Sequence, residues 1–145
     1  MKVNIVFPVL DEERRLEKGI HTTEAFLAKR RDIDAVITIV DNGSTDRTPD
    51  IIKELADVYS NIEYIRLSER GFGLAFREAV KRNRCDIIGY VDVDLSTDIH
   101  YLSKVMKAFE KYDDISVIKG NRLSGKSKVN GRKPLTSPVS GLICL

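Results

Sequence analysis

The sequence predicts an α/β fold, a mostly parallel sheet covered by helices on both faces. Three observations lead there. Short apolar runs rich in Val and Ile alternate with helix-length segments of 3.6-residue periodicity. The runs are apolar almost throughout, as in strands buried on both faces. Each run ends in a polar cluster, and ligands of open parallel sheets bind beyond the carboxyl ends of the strands.

Residues 3–7 form the first strand. Residues 12–30 read as a helix, with Leu16, Ile20, Thr23 and Leu27 on one face. Residues 35–40 are the second strand. Thr48-Pro49 opens the next helix, with Thr48 as N-cap and Pro49 in the first helical position. Ile51, Ile52, Leu55, Ala56 and Tyr59 form its buried face. Residues 62–67 are the third strand, and residues 74–82 a short helix entered through Gly71 and Gly73. Residues 87–91 are the fourth strand. Residues 99–112 form a helix with Leu102, Val105, Met106 and Phe109 inward, and residues 115–118 a fifth strand. From Lys119 onward the pattern gives way to loop rich in Gly, Ser, Pro and Lys.

A chain of 145 residues, 42% hydrophobic and 32% charged, reads as one soluble globular domain. No apolar run approaches membrane-spanning length, and no signal-peptide pattern opens the chain. Cys85 and Cys144 lack metal-ligand spacing and read as small apolar residues in a reducing cytoplasm. The net charge of +2 hides an asymmetry: residues 119–145 hold six basic residues and no acidic one, leaving −4 on residues 1–118. A basic tail on an acidic body suggests an anionic partner, a phosphate, pyrophosphate or lipid headgroup. The plain alternative is a solvated tail. Nucleic acid is not among the expected partners.

Five polar clusters follow the five strands: "PVLDEE" (8–13), "DNGSTD" (41–46), "SERGFG" (68–73), "DVDLSTD" (92–98) and "GNR" (120–122). Each alone has an ordinary explanation as a turn, a helix cap or a helix entry. The glycines lack dinucleotide-binding spacing after the first strand. His21 and His100 read as solvated surface. Together, on one sheet edge, the five clusters make a site. Asp92 and Asp94 are two residues apart at a strand end, where an extended chain turns both to one side. Two such carboxylates raise each other's pKa unless a cation joins them. Hard oxygen donors with open positions suit Mg²⁺ or Mn²⁺, shared with a diphosphate. Asp98 reads as a helix cap rather than a base.

The segments "PVLDEE", "IVDNGSTDRT", "RGFGLAFREAV", "GYVDVDLS" and "GNR" together resemble the family 2 glycosyltransferases of GT-A fold. Within that family the resemblance is nearest to the dolichol- or polyprenyl-phosphate mannose synthases. It covers residues 1–122, a sugar-nucleotide-binding GT-A domain, and leaves 123–145 as a basic loop and a shortened acceptor-side segment. The resemblance implies that Pro8, Leu10 and Glu12 line the base and ribose, with Val40, Asp41 and Asn42 beside the base. Gly71 and Gly73 would bring backbone close to the sugar nucleotide. Asp92, with Val93 between, would contact ribose or metal, Asp94 would ligate the metal, and Arg122 would face the diphosphate. Asn42 stands where the family usually has an aspartate, and Leu10 where it often has an aromatic residue.

The implied activity is inverting, metal-dependent transfer of a mannose- or glucose-type sugar. The donor would be a GDP- or UDP-sugar, and the acceptor a polyprenyl phosphate or a glycan. The implied setting is cytoplasmic, peripheral at the cytoplasmic membrane face. "SPVSGLICL" (137–145) resembles a later Ser-Gly segment of the family, reached here without the membrane-lying helix that normally precedes it. The expectation is therefore a truncated or reduced relative, with self-association through apolar surface near residues 139–145. A non-catalytic sugar-nucleotide-binding remnant is the rival reading. A nucleotidyltransferase on a similar sheet would need a Gly-rich basic loop after the first strand, where this chain is acidic.

Overall fold

The computed structural model describes residues 1–120. Strands β1 (Lys2–Val9), β2 (Asp34–Asp41), β3 (Ile62–Arg66) and β4 (Ile87–Tyr90) form one sheet in the order β3-β2-β1-β4. Every pairing is parallel. Helices α1 (Leu16–Ala28), α2 (Thr48–Val58) and α3 (Phe72–Arg82) join consecutive strands. A 3₁₀ turn over Ile99–Tyr101 leads from β4 into α4 (Leu102–Lys111).

Side chains alternate along β1 as extended geometry requires. Val3, Ile5, Phe7 and Val9 join the larger core with Leu16 and Ile20 of α1, Ile52 and Leu55 of α2, and Met106 of α4. Val6 joins Val40, Ile65, Tyr90 and the α3 residues Ala75 and Ala79 in a second cluster. So α1, α2 and α4 cover one face and α3 the other, which is why the strands read as continuous apolar runs. Asn4 interrupts the run and is buried, but it is paired: it accepts from the Thr38 hydroxyl at 2.8 Å and donates to Asn83 at 3.2 Å. Cys85 is a half-buried free thiol, and burial pushes its pKa up, as suits an inert packing residue.

The topology sets a switch point at β1. From β1 the chain steps to β2 and β3 on one side, then returns over the other face through α3 to place β4 on β1's free side. Strand order reverses at β1, and such a switch point leaves a cleft beyond the strand ends. β4 pairs with β1 only from Val3 to Val6, and the ladder closes with Val91 N–H donating to Val6 O at 3.0 Å. The next rung of a parallel ladder would be donated by residue 8. Pro8 has no N–H, so the two strands part there.

Three sequence expectations change. Residues 115–118 are not a strand: Ile115 and Ile118 are half-buried, Val117 is 73% exposed, and only Lys119 makes a bridge. Residues 12–15 are a turn before α1 rather than its first turn, with Arg15 and Leu16 N–H both donating to Glu12 O. Thr48 begins α2 instead of capping it: Arg47 is the N-cap residue, and the Thr48 N–H donates to Asp46 Oδ1 at 2.9 Å.

Candidate functional site

Parallel strands place all their carboxyl ends on one edge, and the loops after β1, β2, β3 and β4 meet there. The first two are laced together by reciprocal hydrogen bonds. Asp11 N–H donates to Ser44 Oγ (3.0 Å), and Asp11 Oδ1 accepts from Thr45 N–H (2.8 Å). Glu12 N–H donates to Thr48 Oγ1 (2.8 Å). Glu13 N–H donates to Asp46 Oδ2, while Glu13 Oε2 accepts from Arg47 N–H, both at 3.1 Å. These bonds hold Asp11 at φ 53°, a left-handed conformation that costs a non-glycine residue roughly 1–2 kcal/mol. Burial acts to raise the Asp46 carboxyl. The hydrogen bonds from Thr48 and Glu13 outweigh it and hold the group below the usual carboxylate range.

Beneath the edge lies Asp41, fully buried. Its carboxylate accepts from Ser44 N–H (2.8 Å) and Tyr64 OH (3.2 Å) and pairs with Arg66 Nη1 at 3.0 Å. Arg66 Nη2 also donates to Ser44 O at 3.2 Å. Val40 is likewise fully buried, packed toward α3. Val40 and Asp41 are both buried and support the loop from below. Asn42 is different. Its Oδ1 accepts from Gly71 N–H at 2.7 Å, joining the β2 loop to the β3 loop. A backbone N–H can only donate, so this bond fixes the amide's orientation. Asn42 is itself buried, at 9% exposure, and its Nδ2 carries the donor pair that this bond does not use.

At the rim, Leu10 is 38% exposed and Pro8 half-buried. The Glu12 carboxylate is forked by Arg15 at 2.7 and 2.9 Å. A Cβ on Gly71 would press on Leu74 at 3.2 Å, whereas one on Gly73 would meet nothing within 4 Å.

The fourth loop carries the paired carboxylates. Leu95 N–H donates to Asp92 O at 2.9 Å, closing a four-residue turn. Asp92 and Asp94 thus lie on a turn and not on an extended strand end, which corrects the geometric reason given for them above. Val93 between them is buried at 4% exposure, Asp94 is exposed, and Leu95 takes φ 51°. Asp94 Oδ1 accepts from Ser96 N–H at 2.9 Å, leaving its other oxygen for a ligand. Asp98 caps the 3₁₀ turn: it accepts from His100 N–H (2.9 Å) and meets His100 Nδ1 at 2.7 Å. Those bonds hold its carboxyl below the usual range.

No cluster of three or more potential metal ligands occurs among the described residues. The donor set therefore does not fit an all-protein metal cage. Two carboxylates do fit Mg²⁺ or Mn²⁺ held in part by water and substrate phosphates. Arg122, expected opposite the diphosphate, lies outside the described residues. Sequence reasoning missed Gly19, Tyr64 and Arg66. A glycine inside a helical pattern is a departure that could have flagged Gly19.

The pattern of glycosyl transferase family 2 matches residues 4–141. A dolichyl-phosphate beta-glucosyltransferase of Trichomonas vaginalis is 28% identical, over 97% of this chain and 45% of the relative. A dolichol-phosphate mannosyltransferase of Pyrococcus furiosus is 27% identical, over 89% of this chain and 35% of the relative. The chain thus spans less than half of either. Among solved structures, a mannosyltransferase of Pyrobaculum calidifontis in complex with GDP-mannose and Mn²⁺ superposes with a TM-score of 0.64. It covers 81% of this chain and 33% of that one, at 20% identity, which shows a shared GT-A fold.

Proposed function

The chain belongs to glycosyl transferase family 2, and from that premise we propose that it binds a nucleoside-diphosphate hexose and transfers the sugar, with inversion, to a polyprenyl phosphate. The observation that carries the reading is the gathering of four strand-end loops on one sheet edge at a topological switch point, with Asp92 and Asp94 on the loop after β4. Relatives named for dolichyl-phosphate acceptors support the acceptor class.

In this reading Pro8 and Leu10 flank the base, and Asn42 donates to a carbonyl on its edge. Backbone at Gly71 and Gly73 approaches the nucleotide where a side chain would intrude. Asp92 serves the ribose or the cation, and Asp94 the cation. When bound, Mg²⁺ or Mn²⁺ would neutralise charge on the departing diphosphate. Arg122 would add a fork of donors to the same oxygens. A hydroxyl acceptor would need a general base. Asp98, already engaged as a cap, is a poor one. A lipid phosphate is ionised near neutral pH and needs none, and the basic residues 119–145 suit such an anionic partner. No helix among the described residues is long and apolar enough to cross a membrane. Membrane contact in this reading is peripheral.

The test is transfer of labelled hexose from UDP- or GDP-sugars to vesicles containing polyprenyl phosphate. The expected result is labelled lipid whose formation requires a divalent cation. Nucleotide binding without any transfer or donor hydrolysis would make the chain a binding module instead.

A further inference from the structure

We propose that Gly19, in the second turn of α1, is the positioning residue for the Asp92–Asp94 loop; the inference rests on that loop being the diphosphate corner. The helix interior disfavours glycine by about 1 kcal/mol relative to alanine, so its presence at a buried position calls for a cause. The cause is contact with the β4 loop. A Cβ built on Gly19 would lie 2.3 Å from Val93 O and 3.0 Å from Val93 Cγ2. The first of these is backbone, which cannot rotate away as a side-chain end can.

The α1 backbone therefore sets how close Val93 comes to the sheet, and Val93 sits between the two carboxylates. The rest of the loop has little freedom to absorb a push. Val93 is 4% exposed, Leu95 N–H is tied to Asp92 O, and Leu95 already holds φ 51°. Any displacement of Val93 O is passed to Asp92 and Asp94. Shifts of about 1 Å at catalytic groups are enough to cost orders of magnitude in rate. Gly19 touches no ligand itself; it acts through Val93.

The experiment uses the ¹⁵N-labelled chain as Gly19→Ala and as wild type. Amide spectra are recorded first, and UDP and GDP affinities are then measured with and without Mn²⁺. The expected result is displaced amide signals for residues 92–96, with the Mn²⁺-dependent gain in affinity falling ~10-fold or more and metal-free affinity unchanged. Unmoved signals for residues 92–96, or a retained Mn²⁺-dependent gain, would overturn the proposal. If wild type shows no Mn²⁺-dependent gain, the diphosphate-corner reading fails, and the amide signals alone decide whether Gly19 positions the loop. If Gly19→Ala does not fold, Val93→Ala takes its place. Removing Cγ2 from the contact should broaden the signals of residues 92–96 and leave those of β1 in place, and sharp unmoved signals would again overturn the proposal.

Discussion

Asn42 holds Gly71 with its oxygen and keeps an NH₂ group to offer. An aspartate there could hold Gly71 equally well with one oxygen, but its other oxygen would only accept. The uracil edge presents two carbonyl acceptors around one N–H, and the guanine edge one carbonyl beside two donor groups. Asn42→Asp should therefore lower the ratio of UDP to GDP affinity by roughly 10-fold, the worth of one charge-assisted hydrogen bond. Competitive titration of both nucleotides checks it, and an unchanged ratio would separate Asn42 from the base. Asp41, its neighbour, is chemically the stronger-looking ligand in the sequence, yet it is fully buried and bonded to Ser44, Tyr64 and Arg66. Successive residues of an extended chain point to opposite sides. Sequence alone does not say which of two adjacent polar residues faces in, and the partner that decides it, Arg66, lies 25 residues downstream.

At the scale of elements, the strands and helices were legible because periodicity and apolar content follow directly from burial on one face or two. Their ends were less so. Pro8 could be read as a strand terminator, whereas β1 runs through it to Val9 and β4 is the partner that departs. The residues at 115–118 looked like a strand by composition, but a strand needs a neighbour as well as a sequence. The lacing of the β1 and β2 loops was invisible, since it depends on reciprocal bonds between residues more than 30 positions apart. That lacing has a pH signature. Asp46 has a lowered carboxyl pKa in the folded state. Its contribution is thus fully present above the unfolded pKa of about 4 and is lost as pH falls through the lower folded value. Acidification below about pH 4 should loosen the Glu13 and Thr48 amides before α3 unfolds. Amide spectra against pH would show this, and an Asp46→Asn chain should lack the separate early transition.

For the whole molecule, topology is what brings four ordinary polar clusters to one sheet edge. The parallel order β3-β2-β1-β4 puts four loops on one edge, with the order reversal at β1. This much followed from alternating segment types and polar strand ends. The register of the carboxylates did not, because the turn from Asp92 to Leu95 and the contact between Val93 and Gly19 come from packing. Arg122 and the basic residues beyond it fall outside the described residues, so the proposed diphosphate corner rests on Asp92 and Asp94. Calorimetry with UDP and GDP, with and without Mn²⁺, on wild type and Asp94→Asn tests that corner most directly. Wild type should bind one nucleotide more tightly with Mn²⁺, and Asp94→Asn should lose about 10-fold or more of that gain while keeping its metal-free affinity. Equal Mn²⁺-dependent binding by the two chains would contradict the account.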